Sequence, residues 1–161
     1  MGHDSEFDPG YRLRLFELLH GLSAALWAVY LRRSEDVFLD PIKAREDFIE
    51  VQLGQPWAVF LDQHKKRDLS AIESQEGLQL LLMQESALAM QTSCGWFFDS
   101  VTGLEAQQCL RYALRALQLS ATLGEWELLQ PFAERLRATT PAAALMAEFL
   151  ARTLKTLEAP M

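Results

Sequence analysis

The apolar positions of the chain repeat at the spacing of an α-helix. In the first long segment, apolar residues recur three or four positions apart at Leu15, Leu18, Leu22, Leu26 and Val29. This spacing places them on one face of a helix, which we predict from about residue 9 to residue 33. No segment shows sustained alternation rich in Val, Ile and Thr, which is the pattern of a half-buried strand.

Capping signals divide the rest of the chain into further helices. The predicted starts are Asp40-Pro41, Pro56, Ser70 with Glu73, Thr102 with Glu105, and Thr140-Pro141. An N-cap followed by Pro, or a Ser or Thr followed three residues later by Glu, satisfies the first free backbone N–H groups. Three of these helices are predicted to end at Gly54, Ser93 and Gly124. Because the connections are short, we predict an all-α fold: an antiparallel helical bundle of about six helices with no β-sheet.

Composition and charge limit the classes of partner. Half of the 161 residues are hydrophobic, which is enough for a domain with a real core. The net charge is −7, and the largest basic cluster is Lys65-Lys66-Arg67. We therefore expect no nucleic-acid partner, since such partners need a longer basic surface. The longest apolar run, residues 18–31, is broken by His20 and Gly21 and is too short to span a bilayer, so no membrane partner is expected.

Two patterns suggest chemistry but favour simpler interpretations. Glu17 and His20 have the Glu-x-x-His spacing of di-metal bundles, which need a second such motif; we find one only, so no metal site and no cofactor is predicted. Cys94 and Cys109 are the only thiols, and we interpret them as small buried residues, although an antiparallel helix pair can also bring them together. Two cysteines and no signal peptide predict a cytoplasmic location.

The predicted connection between the fourth and fifth helices contains three adjacent aromatic residues, Trp96, Phe97 and Phe98. Helix–helix connections lie at the surface and usually carry polar residues. One or two of these rings are expected to fold inward, and at least one to face outward, where a sugar ring can stack on it.

A polar face follows on the next predicted helix. Glu105, Gln108, Tyr112 and Arg115 share one face, opposite the apolar stripe that contains Leu110 and Leu117. A solvated face is the simpler interpretation. The alternative is that this face lines the site of a polar ligand or a partner domain.

The segment around these aromatic residues resembles part of a known family. We call it the aromatic segment, and its sequence is Ser93-Cys94-Gly95-Trp96-Phe97-Phe98-Asp99. The resemblance is strongest over residues 80–119 and extends more weakly back to Asp40. This region resembles a helical part of the C-terminal half of family 57 glycoside hydrolase-like proteins, classed as domain-of-unknown-function family 3536.

The resemblance implies a partner and a ligand. Full-length relatives carry an N-terminal catalytic (β/α) barrel with two acidic residues, and the family acts on α-glucans. The helical domain packs on that barrel and offers an aromatic residue to the substrate cleft. The carry-over matches Trp96 and Asp99 by motif. In our interpretation Trp96 stacks on sugar with Phe97 in the same site, and Asp99, Gln91 and Arg115 offer hydrogen bonds.

The chain departs from the family pattern in three ways. It has no βα alternation and hence no barrel, it is shorter than the usual C-terminal region, and Glu85-Ser86 replaces a more basic pair. A retaining glycosidase needs two carboxylates roughly 5 Å apart on a rigid scaffold, so we predict no catalytic residue in this chain. The sequence therefore leaves open whether this chain is part of an enzyme, because the catalytic residues would lie in a barrel domain outside it.

We therefore expect residues 1–8 to be disordered or an expression remnant, and residues 9–158 to form a single helical accessory domain. The barrel would lie in the same chain or in a separate one, with an α-glucan as the ligand. The alternative is a helical protein–protein interaction module with no carbohydrate contact.

Overall fold

The computed structural model describes residues 10–92 and 104–139 of the chain. Within these two ranges the helices are α1 (Tyr11–Ser34), α2 (Pro41–Asp47), α3 (Ile49–Gln52), α4 (Trp57–His64), α5 (Ala71–Ala89), α6 (Leu104–Thr122) and α7 (Leu129–Thr139). A single 3-10 turn, Trp126–Leu128, precedes α7. The two ranges contain no strand, and their one extended pairing is an isolated antiparallel bridge between Phe38 and Lys65. The predicted all-α class is confirmed.

Helices α1 and α6 each run antiparallel to α5, and α7 runs antiparallel to α1. Arg33 at the end of α1 lies 3.9 Å from Glu76, in the second turn of α5, and 3.3 Å from Glu125, just after α6. The start of α5 therefore meets the ends of α1 and α6. At the other end of α1, Arg14 Nε donates a 3.1 Å hydrogen bond to the carbonyl of Thr139, so α7 runs back along α1.

Helix α5 lies at the centre of this bundle. Its buried residues cover most of its circumference: Gly77, Leu80, Leu81, Met83, Gln84, Ser86 and Ala87. The amide of the buried Gln84 donates a 3.0 Å hydrogen bond to the carbonyl of Leu26 in α1. A buried amide with a partner avoids the cost of an unsatisfied polar group. The sequence from Leu78 to Met90 is apolar on nearly every side, a pattern that predicts a central helix, and the structure confirms it.

Two of the predicted caps are present. Asp40 accepts a hydrogen bond from the backbone of Lys43, with Pro41 in the first helical position. Ser70 and Glu73 form a reciprocal capping box, and Arg67 also binds the carboxylate of Glu73. The hydrogen bond from Arg67, followed by those from Ser70, lowers the pKa of Glu73 to about 2.

One predicted helix is divided in the structure, and one observed helix is missing from the prediction. The segment that starts at Pro41 forms two short helices, α2 and α3, which are separated at Phe48 although the backbone angles there stay helical, and it ends at Gly54 with a positive φ of 111°. Helix α7 is absent from the predicted helices, although its buried residues Leu129, Phe132 and Leu136 recur at helical spacing. Pro131 is compatible with this helix because it lies in the first turn, where its missing N–H has no intrahelical partner to lose.

Several predictions fall outside the described residues. These are the capping box at Thr102, the helix at Thr140-Pro141, the segment 1–8 and the domain boundary at 158. The domain limits therefore remain predictions.

The contact at Glu125 generates a prediction about stability. Burial of this carboxyl tends to raise its pKa, but hydrogen bonds from Arg32 (2.7 Å) and Arg33 (3.3 Å) outweigh it and lower the pKa. The stabilisation is therefore present above the carboxyl pKa of the unfolded chain and lost as pH falls through the lowered pKa of the folded state. We expect Glu125→Gln to reduce the free energy of unfolding by about 1 kcal/mol at pH 7.

Urea unfolding followed by circular dichroism measures this difference, with Glu127→Gln as the control, since Glu127 is exposed in the same 3-10 turn. The difference in the free energy of unfolding between Glu125→Gln and the native chain should disappear below about pH 4. Equal stability of the two variants at pH 7 would contradict the role given to Glu125.

Candidate functional site

One end of the bundle gathers most of the features that suggest function. We call it the connection end: the first turns of α1 and α6, together with the last turns of α5 and α7. The antiparallel arrangement brings these four helix ends together, as the contact of Arg14 with Thr139 illustrates for α1 and α7. The aromatic segment joins Thr92 to Leu104 and thus links two of the helix ends at this site.

The residues that directly follow α5 pack on α6. The Cys109 sulfur lies 3.8 Å from the Thr92 hydroxyl and 3.9 Å from the Thr92 carbonyl, and Cys109 is buried. The interpretation of Cys109 as a buried small residue is confirmed, whereas Cys94 lies outside the described residues. This contact fixes the register between α5 and α6 at the point where the aromatic segment leaves.

The five predicted ligand-binding residues divide into two groups. Trp96, Phe97 and Asp99 lie outside the described residues. Gln91 is half-buried just after α5, where its backbone N–H binds the carbonyl of Leu88, and Arg115 is exposed on α6. Arg115 lies six residues beyond Cys109, about 9 Å along the helix axis. The common site predicted for these five residues remains a prediction.

The polar face of α6 is oriented as predicted. Gln108 and Arg115 are exposed, Glu105 and Tyr112 are half-buried, and the opposite stripe with Leu110 and Leu117 is buried. Tyr112 packs against the edge of the core, so its ring is partly used for stability. The face is solvated along α6 and begins at the connection end.

Exposed apolar side chains at this end were not predicted from the sequence. Leu88 is 54% exposed at the end of α5, and Leu104 is 76% exposed at the start of α6. Leu13 and Phe16 are exposed on the first turns of α1. Large apolar groups gathered at one place on a surface mark interaction sites. The sequence contains one usable signal, which is that Leu13 and Phe16 fall outside the stripe that Leu15 and Leu18 define.

A small cleft opens between α1 and α7 at the same end. It has a volume of about 200 Å³ and is lined by Arg14, Glu17, Leu18, Arg135, Ala138 and Thr139. Ligand pockets usually have volumes of about 300 Å³ or more, so this cleft is too small for an oligosaccharide. Part of its polar lining is already hydrogen-bonded within the chain, because Arg14 Nε donates to the Thr139 carbonyl.

The Glu17 and His20 pair does not resemble a metal centre in its surroundings. Both residues are exposed, and the His20 ring stacks on Phe16 at a centroid distance of 5.5 Å. Across residues 10–92 and 104–139, no group of three or more His, Cys, Asp or Glu side chains is placed to hold a metal ion. None of the helices in these ranges is long and apolar enough to cross a membrane.

Comparison with known families identifies the chain at the family level. The model of the family described as Domain of unknown function (DUF3536) matches residues 11–147, and the chain belongs to this family. No curated protein and no solved structure matches the chain.

The exposure of Leu88 and Leu104 generates a test of the connection end as a surface. Because these side chains are already in water, Leu88→Ser and Leu104→Ser should each change the free energy of unfolding by less than about 0.5 kcal/mol. The double variant should bind less 8-anilinonaphthalene-1-sulfonate, which reports exposed apolar surface. Ile72→Ser, at an exposed site on the first turn of α5, is the matched control for a serine on a helix end. A loss of several kcal/mol in the double variant would show that these leucines are buried in solution.

Proposed function

We propose that this chain is the helical accessory domain of a family 57 glycoside hydrolase-like protein that acts on an α-glucan. In this proposal residues 9–158 pack on a catalytic (β/α) barrel, in the same chain or in a separate one. The connection end faces the barrel and forms one wall of its substrate cleft. Membership of the DUF3536 family supports the proposal together with the resemblance of the aromatic segment.

The observation that carries the proposal is the exposure of Leu88 and Leu104 on the two helix ends that the aromatic segment joins. Burying apolar surface yields about 25 cal/mol for each Å² removed from water. A barrel that covered this end would remove both leucines from water at once. It would also bring the segment with Trp96 and Phe97 against the mouth of the barrel.

In this proposal the barrel catalyses the reaction, and the helical domain positions the substrate. Several carboxylates of the described residues take part in ion pairs within this chain: Glu125 with Arg32 and Arg33, Glu73 with Arg67, and Asp47 with Lys43. Charges held in this way contribute to the bundle. A retaining mechanism instead needs two carboxylates on opposite sides of one glycosidic bond.

Within the cleft, Trp96 would stack on a sugar ring and Phe97 would extend the apolar contact. Asp99, Gln91 and Arg115 would bind hydroxyl groups, which need both donors and acceptors. Contacts of this kind, remote from the scissile bond, orient the substrate for a reaction that other residues perform.

A second candidate is a protein–protein interaction module without carbohydrate contact. It is favoured by Leu13 and Phe16, which are exposed on α1 at the same end and lie outside the predicted sugar-binding residues. A partner protein can cover them without any carbohydrate. The two candidates share the connection end and differ only in whether the aromatic segment binds glucan.

Fluorine NMR of labelled tryptophan residues distinguishes the two candidate functions. The chain has four tryptophans, so labelling with 5-fluorotryptophan gives four resonances. The resonance that disappears in the Trp96→Phe variant is that of Trp96. We expect the Trp96 resonance to shift as maltoheptaose is added, with an affinity in the millimolar range, because one stacked ring contributes only a few kcal/mol. Trp126, which is half-buried beside α7, provides the internal control and should not shift.

If no tryptophan resonance responds to maltoheptaose at about 50 mM, roughly fifty times a millimolar dissociation constant, the glucan contact is wrong and the interaction module is favoured. A response at Trp126 alone would also contradict the site, since it would place the sugar far from the connection end.

A further inference from the structure

A second exposed apolar surface lies at the opposite half of the bundle. It consists of Ile42, Ile49 and Leu53, which are 53%, 53% and 81% exposed, and we call it the α2–α3 stripe. The chain keeps helical angles through Phe48 (φ −59°, ψ −20°), so α2 and α3 follow nearly one helical path. At about 100° per residue, spacings of seven and four residues put these three side chains within about 40° of one another.

The opposite face of the same path is already packed. Ala44 and Phe48 are buried, and Phe48 meets the ring of Phe60 edge-on at a centroid distance of 6.0 Å. Two further contacts fix α2 to α1: the Tyr30 hydroxyl donates a 2.7 Å hydrogen bond to the Pro41 carbonyl, and the Arg45 guanidinium lies 4.7 Å from the Trp27 ring. The intramolecular side of this helical path is therefore packed against α1 and α4, and the stripe is an additional apolar surface on a fixed helix.

The charges around the stripe are acidic. Glu46 lies between Ile42 and Ile49 on the same side, and Glu50 follows Ile49; both are exposed. The one lysine of these two helices, Lys43, is held 2.7 Å from Asp47. Arg45 of α2 lies over the Trp27 ring, and Lys43 also attracts Glu46 and Glu50 from beyond ion-pair distance. The stripe therefore presents apolar side chains with a border in which two exposed carboxylates, Glu46 and Glu50, outnumber one exposed cation, Lys43.

We propose that the α2–α3 stripe docks into an apolar groove that is bordered by lysine and arginine side chains on a different protein. An amphipathic helix commonly binds a partner by placing such a stripe into a groove, and complementary charges at the rim select the partner. Glu46 and Glu50 would face the basic rim. A second copy of the chain would bring carboxylates against carboxylates, and an anionic lipid surface would repel them.

This surface is independent of the proposed glucan function. Its attachment to α1 is at Trp27 and Tyr30, whereas the connection end contains the first turns of α1, near Leu15. Fifteen residues of helix separate Leu15 from Tyr30, about 22 Å along the axis. The two surfaces can therefore be tested separately, and either can fail alone.

Site-specific photo-cross-linking in the native host tests the inference on the full chain. The photoreactive residue p-benzoylphenylalanine is placed at Ile49, and in the matched control at Ile72, which is also exposed but lies on the first turn of α5. We expect a cross-link from position 49 and none of the same identity from position 72. Mass spectrometry of the linked peptide should show apolar residues flanked by lysine or arginine, in a protein other than this chain.

A charge-reversal variant tests the rim. Glu46→Lys with Glu50→Lys leaves the buried face of α2 and α3 unchanged, so its circular dichroism spectrum should match that of the native chain. We expect it to reduce the yield of the cross-link from position 49 about tenfold, because two rim contacts become repulsive.

Four results would overturn the proposal. They are a cross-link to a second copy of this chain, a linked peptide with an acidic border, identical products from positions 49 and 72, and no cross-link from position 49. An undiminished cross-link yield in the charge-reversal variant would show that the proposed lysine and arginine border of the partner's groove is wrong. The fluorine titration reports only on the connection end and is unaffected by any of these outcomes.

Discussion

The burial of α5 is the constraint on which the rest of the structure depends. This helix is apolar over most of its circumference, so it is stable only when other helices cover several of its sides at once. Helices α1 and α6 do so, and both lie antiparallel to it. Its buried amide, Gln84, is satisfied by the Leu26 carbonyl, so the packing leaves this polar group with a partner.

The surfaces of the molecule follow from that arrangement. Because α1 and α6 both run opposite to α5, the end of α5 lies beside the start of each of them, and α7 returns to the same place. The connection end is thus a product of the topology, and the aromatic segment is attached where exposed leucines already lie. The short helices α2, α3 and α4 pack at the other half and carry the α2–α3 stripe outward.

The sequence predicts the features that depend on near neighbours. The helical class, the caps at Asp40 and Ser70, and the central position of α5 each follow from spacing and local hydrogen bonding. Helix α7 is absent from the predicted set although its buried Leu129, Phe132 and Leu136 have helical spacing, so the local signal is present but the prediction does not use it. The exposure of Leu88 and Leu104, and the sharing of Glu125 between Arg32 and Arg33, depend on residues distant in sequence, which no periodicity reveals. The arrangement of Trp96, Phe97 and Asp99 remains a sequence prediction, since these residues lie outside the described ranges.

Hydrogen–deuterium exchange of the chain with and without maltoheptaose tests the central claim most directly, because it reports every part of the backbone in one experiment. The account predicts slower exchange in peptides that cover residues 88–108, where α5 ends and α6 begins, and unchanged exchange in residues 41–53. Slower exchange elsewhere, with residues 88–108 unaffected at saturating sugar, would contradict the placement of the ligand at the connection end.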